Sequence, residues 1–261
     1  MSEASVYQQL RTHLTYLRLE AAADALAAQL DAAAKHKLSH SAFLNNLLGV
    51  EVAATEQRRL NGRRRFACLP AEWRLEDYDF EAQPKLDRKL IDELATLRFI
   101  EEAANVLFIG PPGVGKTMLA VALGHTAVEA GYRVYFTTAA ELAARCHRGA
   151  IEGRWATTMR FYAGPSLLLI DEVGYLPLAS EAAAALFQVI SQRALKGSIV
   201  LTTNRSIASW GQIFNDDSVV AAAMLDRLLH RATVVNIDGE SYRMRAHRKH
   251  LEQVRRAVKT R

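Results

Sequence analysis

Residues Gly110-Pro111-Pro112-Gly113-Val114-Gly115-Lys116-Thr117 satisfy the pattern G-x-x-x-x-G-K-[ST] at every fixed position. Glycines in such a run let the backbone wrap closely around phosphate oxygens, so that successive N–H groups converge on negative charge. Lys116 is then placed to reach the terminal phosphates, and the Thr117 hydroxyl to hold Mg²⁺. With Met118 as the next residue, Gly110 to Met118 form the expected nucleotide-binding set. A second constellation follows about fifty residues later, where Leu167-Leu168-Leu169-Ile170 runs into Asp171-Glu172. Four apolar residues deliver two carboxylates to the end of a strand, where α/β sheets place their ligands. Asp171 suits the Mg²⁺ shell, and Glu172 suits polarising a water for in-line attack on a terminal phosphate.

Two weaker signals accompany these. Thr202-Thr203-Asn204 ends an apolar run, and the Asn204 amide is placed either to sense a terminal phosphate or simply to make a turn. Arg227 and Arg231 are four apart and share one helix face. An arginine supplied across a subunit boundary can speed phosphoryl transfer by roughly 10³–10⁵; pairing with Asp226 is the alternative, and spacing alone favours it.

Positioning these residues requires alternating strands and helices. Asn105–Ile109 reads as a strand before the glycine-rich loop, with a helix from Met118 towards Gly131. A strand, a loop and a helix N-terminus are what a phosphate site needs. Further strands are expected at 132–136, 167–170, 198–202 and 233–237, with a mixed helical stretch over 139–162 and a helix over 181–196. Five apolar strands separated by helices imply a parallel sheet covered on both faces. Leu86, Leu90, Leu94 and Leu97 predict one helix over 84–100. Residues 5–60 read as helical, with Val6, Leu10, Leu14 and Leu17 on one face. The expected division is a helical domain with basic linker over 1–66, a core over 67–243 and a basic tail over 244–261.

The chain has 261 residues, a net charge of +5 and 50% apolar residues, enough for one sizeable core and an accessory unit. No apolar run approaches the roughly 20 residues of a membrane span, and no signal-peptide pattern is read at the start. Cys68 and Cys146 are the two cysteines and form no C-x-x-C pair, which points to a reducing cytoplasm without structural zinc. His247 and His250 lack a nearby cysteine or acid, so no metal is expected there.

The positive charge is segregated. Five arginines fall between Arg58 and Arg65, and eight Lys or Arg face one acid from Arg243 to Arg261. Such concentration suits a polyanion or, equally, a solvated face and tail. Arg63, Arg64 and Arg65, beside Gly62, read as a flexible linker able to lie along a phosphate backbone. Arg145, Arg148, Arg154 and Arg160 interleave with Trp155, Phe161 and Tyr162, a composition suited to nucleic acid or to an ordinary helical face. Trp73, Tyr78 and Phe80 precede the core and are candidates for covering a purine or for plain packing.

The order of motifs resembles the IstB-type transposition helper ATPases of bacterial insertion sequences, relatives of the DnaC-type helicase loaders in the AAA+ class. The stretches that carry the likeness are 105–120, 167–178, 199–204, Trp210–Asp216, Met224–His230 and Gly239–Arg243. The resemblance implies an AAA+ type P-loop fold and an ATPase stimulated by DNA and oligomerisation. It makes Asn204 a sensor residue and Arg227 an arginine finger acting on a neighbour's ATP. The region from Arg145 to Tyr162 would face DNA. The implied partners are double-stranded DNA without strong sequence preference, a cognate transposase, and further copies of the chain. A DnaC-type helicase loader is the alternative it leaves open.

Overall fold

The computed structural model describes residues 3–175, 180–214, 217–242, 244 and 245. The rest of the expected basic tail, with His247 and His250, lies outside the described residues, as do parts of the stretches 167–178, Trp210–Asp216 and Gly239–Arg243. Among the described residues no helix is long and apolar enough to cross a membrane. The chain divides into two compact units, Met1–Gly62 and Arg63–Arg261.

The first unit holds α1 (Glu3–Tyr16), α2 (Glu20–His36) and most of α3 (His40–Ala67). Its core is Ala22, Leu26 and Leu47, with Tyr7, Leu14, Leu19 and Phe43 packed against them. The buried edge of α1 therefore passes through Tyr7 and Leu14. Val6, Leu10 and Leu17, expected on one face with Leu14, are exposed, and Tyr7 packs on the core with Leu14 instead. Glu51 on α3 accepts the Ala22 amide at 3.0 Å, capping one of the unpaired donors in the first turn of α2. That amide first, and Arg58 at 2.5 Å second, hold its carboxyl below the ordinary range.

Residues 58–66, expected as a flexible linker, continue α3 without a break to Ala67. One helical glycine costs about 1 kcal/mol, and the arginines and leucine around Gly62, all good helix formers, outweigh it. Inside the second unit Arg63 Nε donates to the Val128 carbonyl at 3.2 Å, and Arg64 pairs with Glu129 at 3.0 Å. The single helix expected over 84–100 is two: α4 (Arg88–Ala95), capped by the Asp87 carboxylate, and α5 (Arg98–Glu101). Leu97 breaks it at φ 63°, its side chain buried and its amide bonded to the Leu94 carbonyl at 3.0 Å.

Five strands form one parallel sheet: β1 (Asn105–Ile109), β2 (Val134–Thr138), β3 (Leu167–Val173), β4 (Ser198–Thr203) and β5 (Ala232–Asn236). Their order is β2-β3-β4-β1-β5. β2 sits two residues later than expected because its ladder pairs Val134 with Leu167 and Thr138 with Asp171. The connecting helices are α6 (Lys116–Glu129), α7 (Ala139–Ile151), α8 (Trp155–Ala163), α9 (Ser180–Arg193) and α10 (Ser218–Leu229). Thr138 and Glu141 form a capping box that starts α7 at once after β2. Gly153, at φ +65°, divides the helical stretch expected over 139–162 into α7 and α8. The inner strands β1, β3 and β4 are buried almost throughout, as a sheet covered on both faces requires. Asn105 ties its N-terminal edge: Nδ2 donates to the Leu228 carbonyl and Oδ1 accepts the Ile199 amide, both at 3.0 Å.

Candidate active site

The glycine-rich loop leaves the C-terminal end of β1 and enters α6 at Lys116, with Gly115 as the N-cap. Gly113 and Gly115 have φ of +84° and +94°, conformations that a side chain would strain. The first amides of α6 have no carbonyl partners within the helix, so this end of the loop offers donors and a positive dipole to an anion. The Lys116 ammonium donates to the carbonyls of Gly110 and Pro111 at 2.8 Å each.

β4 lies between β1 and β3, which lets one threonine brace both acids. Thr202 Oγ1 donates to Asp171 Oδ1 and accepts the Glu172 amide at 3.1 Å. The amide needs this side-chain partner because the β3–β4 register shifts between Ile170 and Val173. Glu172 itself has φ 61°, a left-handed conformation at a non-glycine residue, and its side chain is exposed. Asp171 is buried and also accepts from Thr117 Oγ1, at 2.9 and 3.1 Å to its two oxygens. Thus the hydroxyl and carboxylate that sequence placed about fifty residues apart are in contact.

Lys116, Thr117, Glu172 and Asn204 open onto one small cavity of about 70 Å³. Asn204 Oδ1 is buried there with no hydrogen-bond partner among the described residues, so it has acceptor capacity for a bound water. Beside it lies a larger cavity of about 390 Å³, which runs from Gly113, Lys116 and Met118 to Trp73, Asp79 and Tyr242. Such a pocket, with phosphate donors at one end and aromatic rings at the other, suits a nucleotide.

Of the aromatic candidates, Trp73 lines this cavity, half exposed. Tyr78 is 4% exposed and gives its hydroxyl to the Val114 carbonyl at 2.9 Å; Phe80 packs edge-on against it with centroids 4.9 Å apart. The loop residues, Asp171, Glu172 and Asn204 are therefore assembled in one place. Arg227 is not. Its guanidinium donates to the Ala223 carbonyl at 2.8 Å and lies over the Phe187 ring, 4.7 Å from the centroid. The Asn105 amide bonds the Arg231 carbonyl at 2.7 Å, which places the end of α10 at the start of β1, opposite the loop.

The basic candidates are distributed differently again. Arg145 is half-buried, its Cζ 3.7 Å from the Phe161 ring centroid and Nη1 bonded to Tyr135 Oη at 3.3 Å. Arg148, Arg154 and Arg160 are exposed, and Arg154 pairs with Glu152. Arg65 is exposed.

Oxygen donors from Thr117 and Asp171 fit a hard cation such as Mg²⁺. No group of three or more His, Cys, Asp or Glu among the described residues could hold a metal. A cation here would therefore complete its shell with phosphate and water oxygens, the usual habit of Mg²⁺. Sequence reasoning missed the bracing role of Thr202 and the contacts of Ser241 and Tyr242 with the loop. The polar tip of β4 was the signal for Thr202; the other two are brought in from the far end of the chain with no local pattern.

Residues 12–250 match the family described as IstB-like ATP binding protein. The chain is 41% identical over 241 residues to the ATP-binding protein assigned to insertion sequence IS5376 of Geobacillus stearothermophilus, covering 92% of this chain and 96% of that one. It is 42% identical over 241 residues to the corresponding IS21 protein of Pseudomonas aeruginosa, covering 92% and 91%. Among solved structures, AMPPCP-bound DnaA from Aquifex aeolicus superposes with a TM-score of 0.56 at 20% identity, over 71% of this chain and 56% of that one. That likeness shows a shared fold over the region of the parallel sheet and its flanking helices.

Proposed function

As the chain belongs to the IstB-like ATP-binding proteins of insertion sequences, we propose that it is a Mg²⁺-dependent ATPase that assembles on DNA and assists a partner transposase. The observation that carries the ATPase reading is the contact of Thr117 with Asp171, beside Lys116, Glu172 and Asn204 on one cavity. The amides of the loop and of the first turn of α6 bind the phosphates. The Lys116 ammonium exchanges the Gly110 and Pro111 carbonyls for terminal phosphate oxygens, a stronger charge-assisted pairing. Thr117 and Asp171 would hold Mg²⁺, which would offset phosphate charge. Glu172 accepts one proton from water as the water oxygen attacks the γ-phosphorus, and Asn204 Oδ1 accepts a hydrogen bond from the O–H that remains, orienting the water. The bond between the γ-phosphorus and the ADP oxygen breaks, leaving ADP and phosphate.

Within a single chain the Arg227 guanidinium lies beside Asn105 and Ile199, at the opposite end of the sheet from this cavity, which is compatible with the role in a neighbour's site that the family resemblance implies. Its position favours an oligomer whose ATP sites lie between subunits. The net charge of +5 and the exposed Arg65, Arg148 and Arg160 support contact with a polyanion, whereas Arg154 is paired with Glu152. Arg63, Arg64 and Arg145 are engaged inside their own unit and supply less. Relatives at 41% and 42% identity are insertion-sequence proteins, which favours a transposase over a helicase as the partner.

The test is the rate of ATP hydrolysis with and without random-sequence duplex DNA, at low and moderate salt. Stimulation by DNA that fades with salt is expected. A rate indifferent to DNA would remove the DNA-assembled helper while leaving the ATPase.

A further inference from the structure

A loop that aims its amides inward at phosphate must aim its carbonyls outward, where they too need partners. Two of them find donors from opposite ends of the core. The Val114 carbonyl accepts the Tyr78 hydroxyl at 2.9 Å, and the Gly113 carbonyl accepts the Tyr242 amide at 2.9 Å. The two tyrosine rings meet edge-on, centroids 5.8 Å apart at 75°. The Tyr242 hydroxyl donates in turn to the Asp79 carbonyl at 2.5 Å, and Gln83 Nε2 to the Glu240 carbonyl at 2.8 Å. Burial pushes the Tyr78 phenol pKa well up, so it remains a donor throughout the neutral range.

Both conformationally special glycines are covered by these same residues. A Cβ at Gly115 would lie 2.6 Å from Tyr78 Cε2, and a Cβ at Gly113 would collide with Ser241 Oγ. The outer face of the loop is thus packed to van der Waals contact at the two positions whose backbone sets its curvature.

We infer that Tyr78 and Tyr242 are positioning residues for the phosphate loop, and that docking of the 239–242 segment is coupled to nucleotide binding. The inference rests on the ATP reading of the site. By linkage, whatever holds the segment down tightens nucleotide binding, and nucleotide holds the segment down by the same factor. Tyr242 also lines the 390 Å³ cavity, so it touches both the loop and the space a nucleotide would fill.

The experiment uses full-length Tyr78→Phe and Tyr242→Phe, each keeping its ring. A fluorescent ATP analogue with Mg²⁺ reports affinity, thermal unfolding without nucleotide reports stability, and amide exchange reports the segment. Tyr78→Phe is expected to weaken nucleotide affinity roughly tenfold, the scale of one hydrogen bond, with kcat at saturating ATP nearly unchanged. Tyr242→Phe keeps its backbone donor and is expected to lose roughly threefold, since its hydroxyl acts one bond further from the loop. ATP is expected to slow exchange of the Tyr242 amide in the wild type. Both variants binding within twofold of wild type, or an unprotected Tyr242 amide, would overturn the clamp. Should Tyr78→Phe fail to fold, Tyr242→Phe and the exchange measurement decide it. A wild-type chain that binds no ATP would overturn the underlying reading of the site, a separate failure.

Discussion

Thr202→Val is the substitution whose consequences the structure specifies most fully. Valine keeps the shape but removes a hydroxyl that serves two partners, donating to Asp171 and accepting from the Glu172 amide. Thr202 is 2% exposed, so water cannot replace what is lost. A hydrogen bond to a charged group is worth about 1.5–3 kcal/mol, and an amide left without a partner costs about 1–3 kcal/mol. Asp171 keeps its bonds from Thr117, and the added methyl is buried in an apolar strand, so the net loss is expected near 2–4 kcal/mol. For a chain of this size that lowers the thermal midpoint by roughly 4–16 °C. The catalytic effect is larger. Glu172 sits at φ 61°, a conformation costing roughly 1–2 kcal/mol that its surroundings must hold in place. Released from Thr202, the backbone can relax and move the carboxylate, and a shift of about 1 Å costs on the order of 10² in rate. Single-turnover ATP hydrolysis at saturating nucleotide is the assay, with affinity measured in parallel. Thr202→Val should bind ATP within about fivefold of wild type and hydrolyse it about a hundredfold more slowly, while Thr202→Ser should recover most of the rate. Wild-type turnover in Thr202→Val, or a Ser variant as impaired as the Val variant, would refute the reasoning.

Two further outcomes follow from particular contacts. Arg227→Ala removes a half-buried cation–π contact worth roughly 0.5–2 kcal/mol and a hydrogen bond to the Ala223 carbonyl, so the protein should fold and bind ATP while its assembled, DNA-bound form loses roughly 10³ in turnover; loss of ATP binding would make Arg227 structural. Cys146 is fully buried and burial pushes its thiol up to about 11, whereas Cys68 is exposed. Burial disfavours the thiolate, so iodoacetamide at pH 8 should modify one cysteine in the folded protein and both in denaturant, as counted by mass spectrometry; two modifications in the folded state would contradict the packing of α7.

What could be read from sequence divides along physical lines. The glycine-rich loop and the Asp171-Glu172 pair are contiguous, and their backbone requirements are written in the residue types themselves. Strand identity was equally legible in the apolar runs, but the start of β2 was not, because its ladder with β3 sets the register. Gly62 signalled a break that α3 does not make, since one glycine is a small cost within a long run of helix formers. The reverse happened at Leu97, where a good helix former takes a left-handed conformation with its side chain buried. Tyr78 could be read only as a cover for a purine or as plain packing. Its hydroxyl bond to Val114 depends on a fold that brings residues 36 positions apart together. Ser241 and Tyr242 were legible as part of a family stretch and not as loop supports, because that contact joins opposite ends of the core. Arg193 shows the same limit: a charged residue 1% exposed, it donates to the carbonyls of Tyr162, Pro165, Ser166 and Ser198. Nothing in its local sequence predicts that burial.

The central claim is that the Thr117–Asp171 contact, Glu172 and the glycine-rich loop together make an ATP-hydrolysing site. Phosphate release from Mg·ATP by wild type and Glu172→Gln, with nucleotide affinity measured on the same samples, tests it most directly. The account predicts that Glu172→Gln binds ATP as tightly as wild type, within about threefold, and hydrolyses it at least about a hundredfold more slowly. Equal turnover in the two proteins would contradict the assignment of Glu172 as the base and, with it, this description of the site.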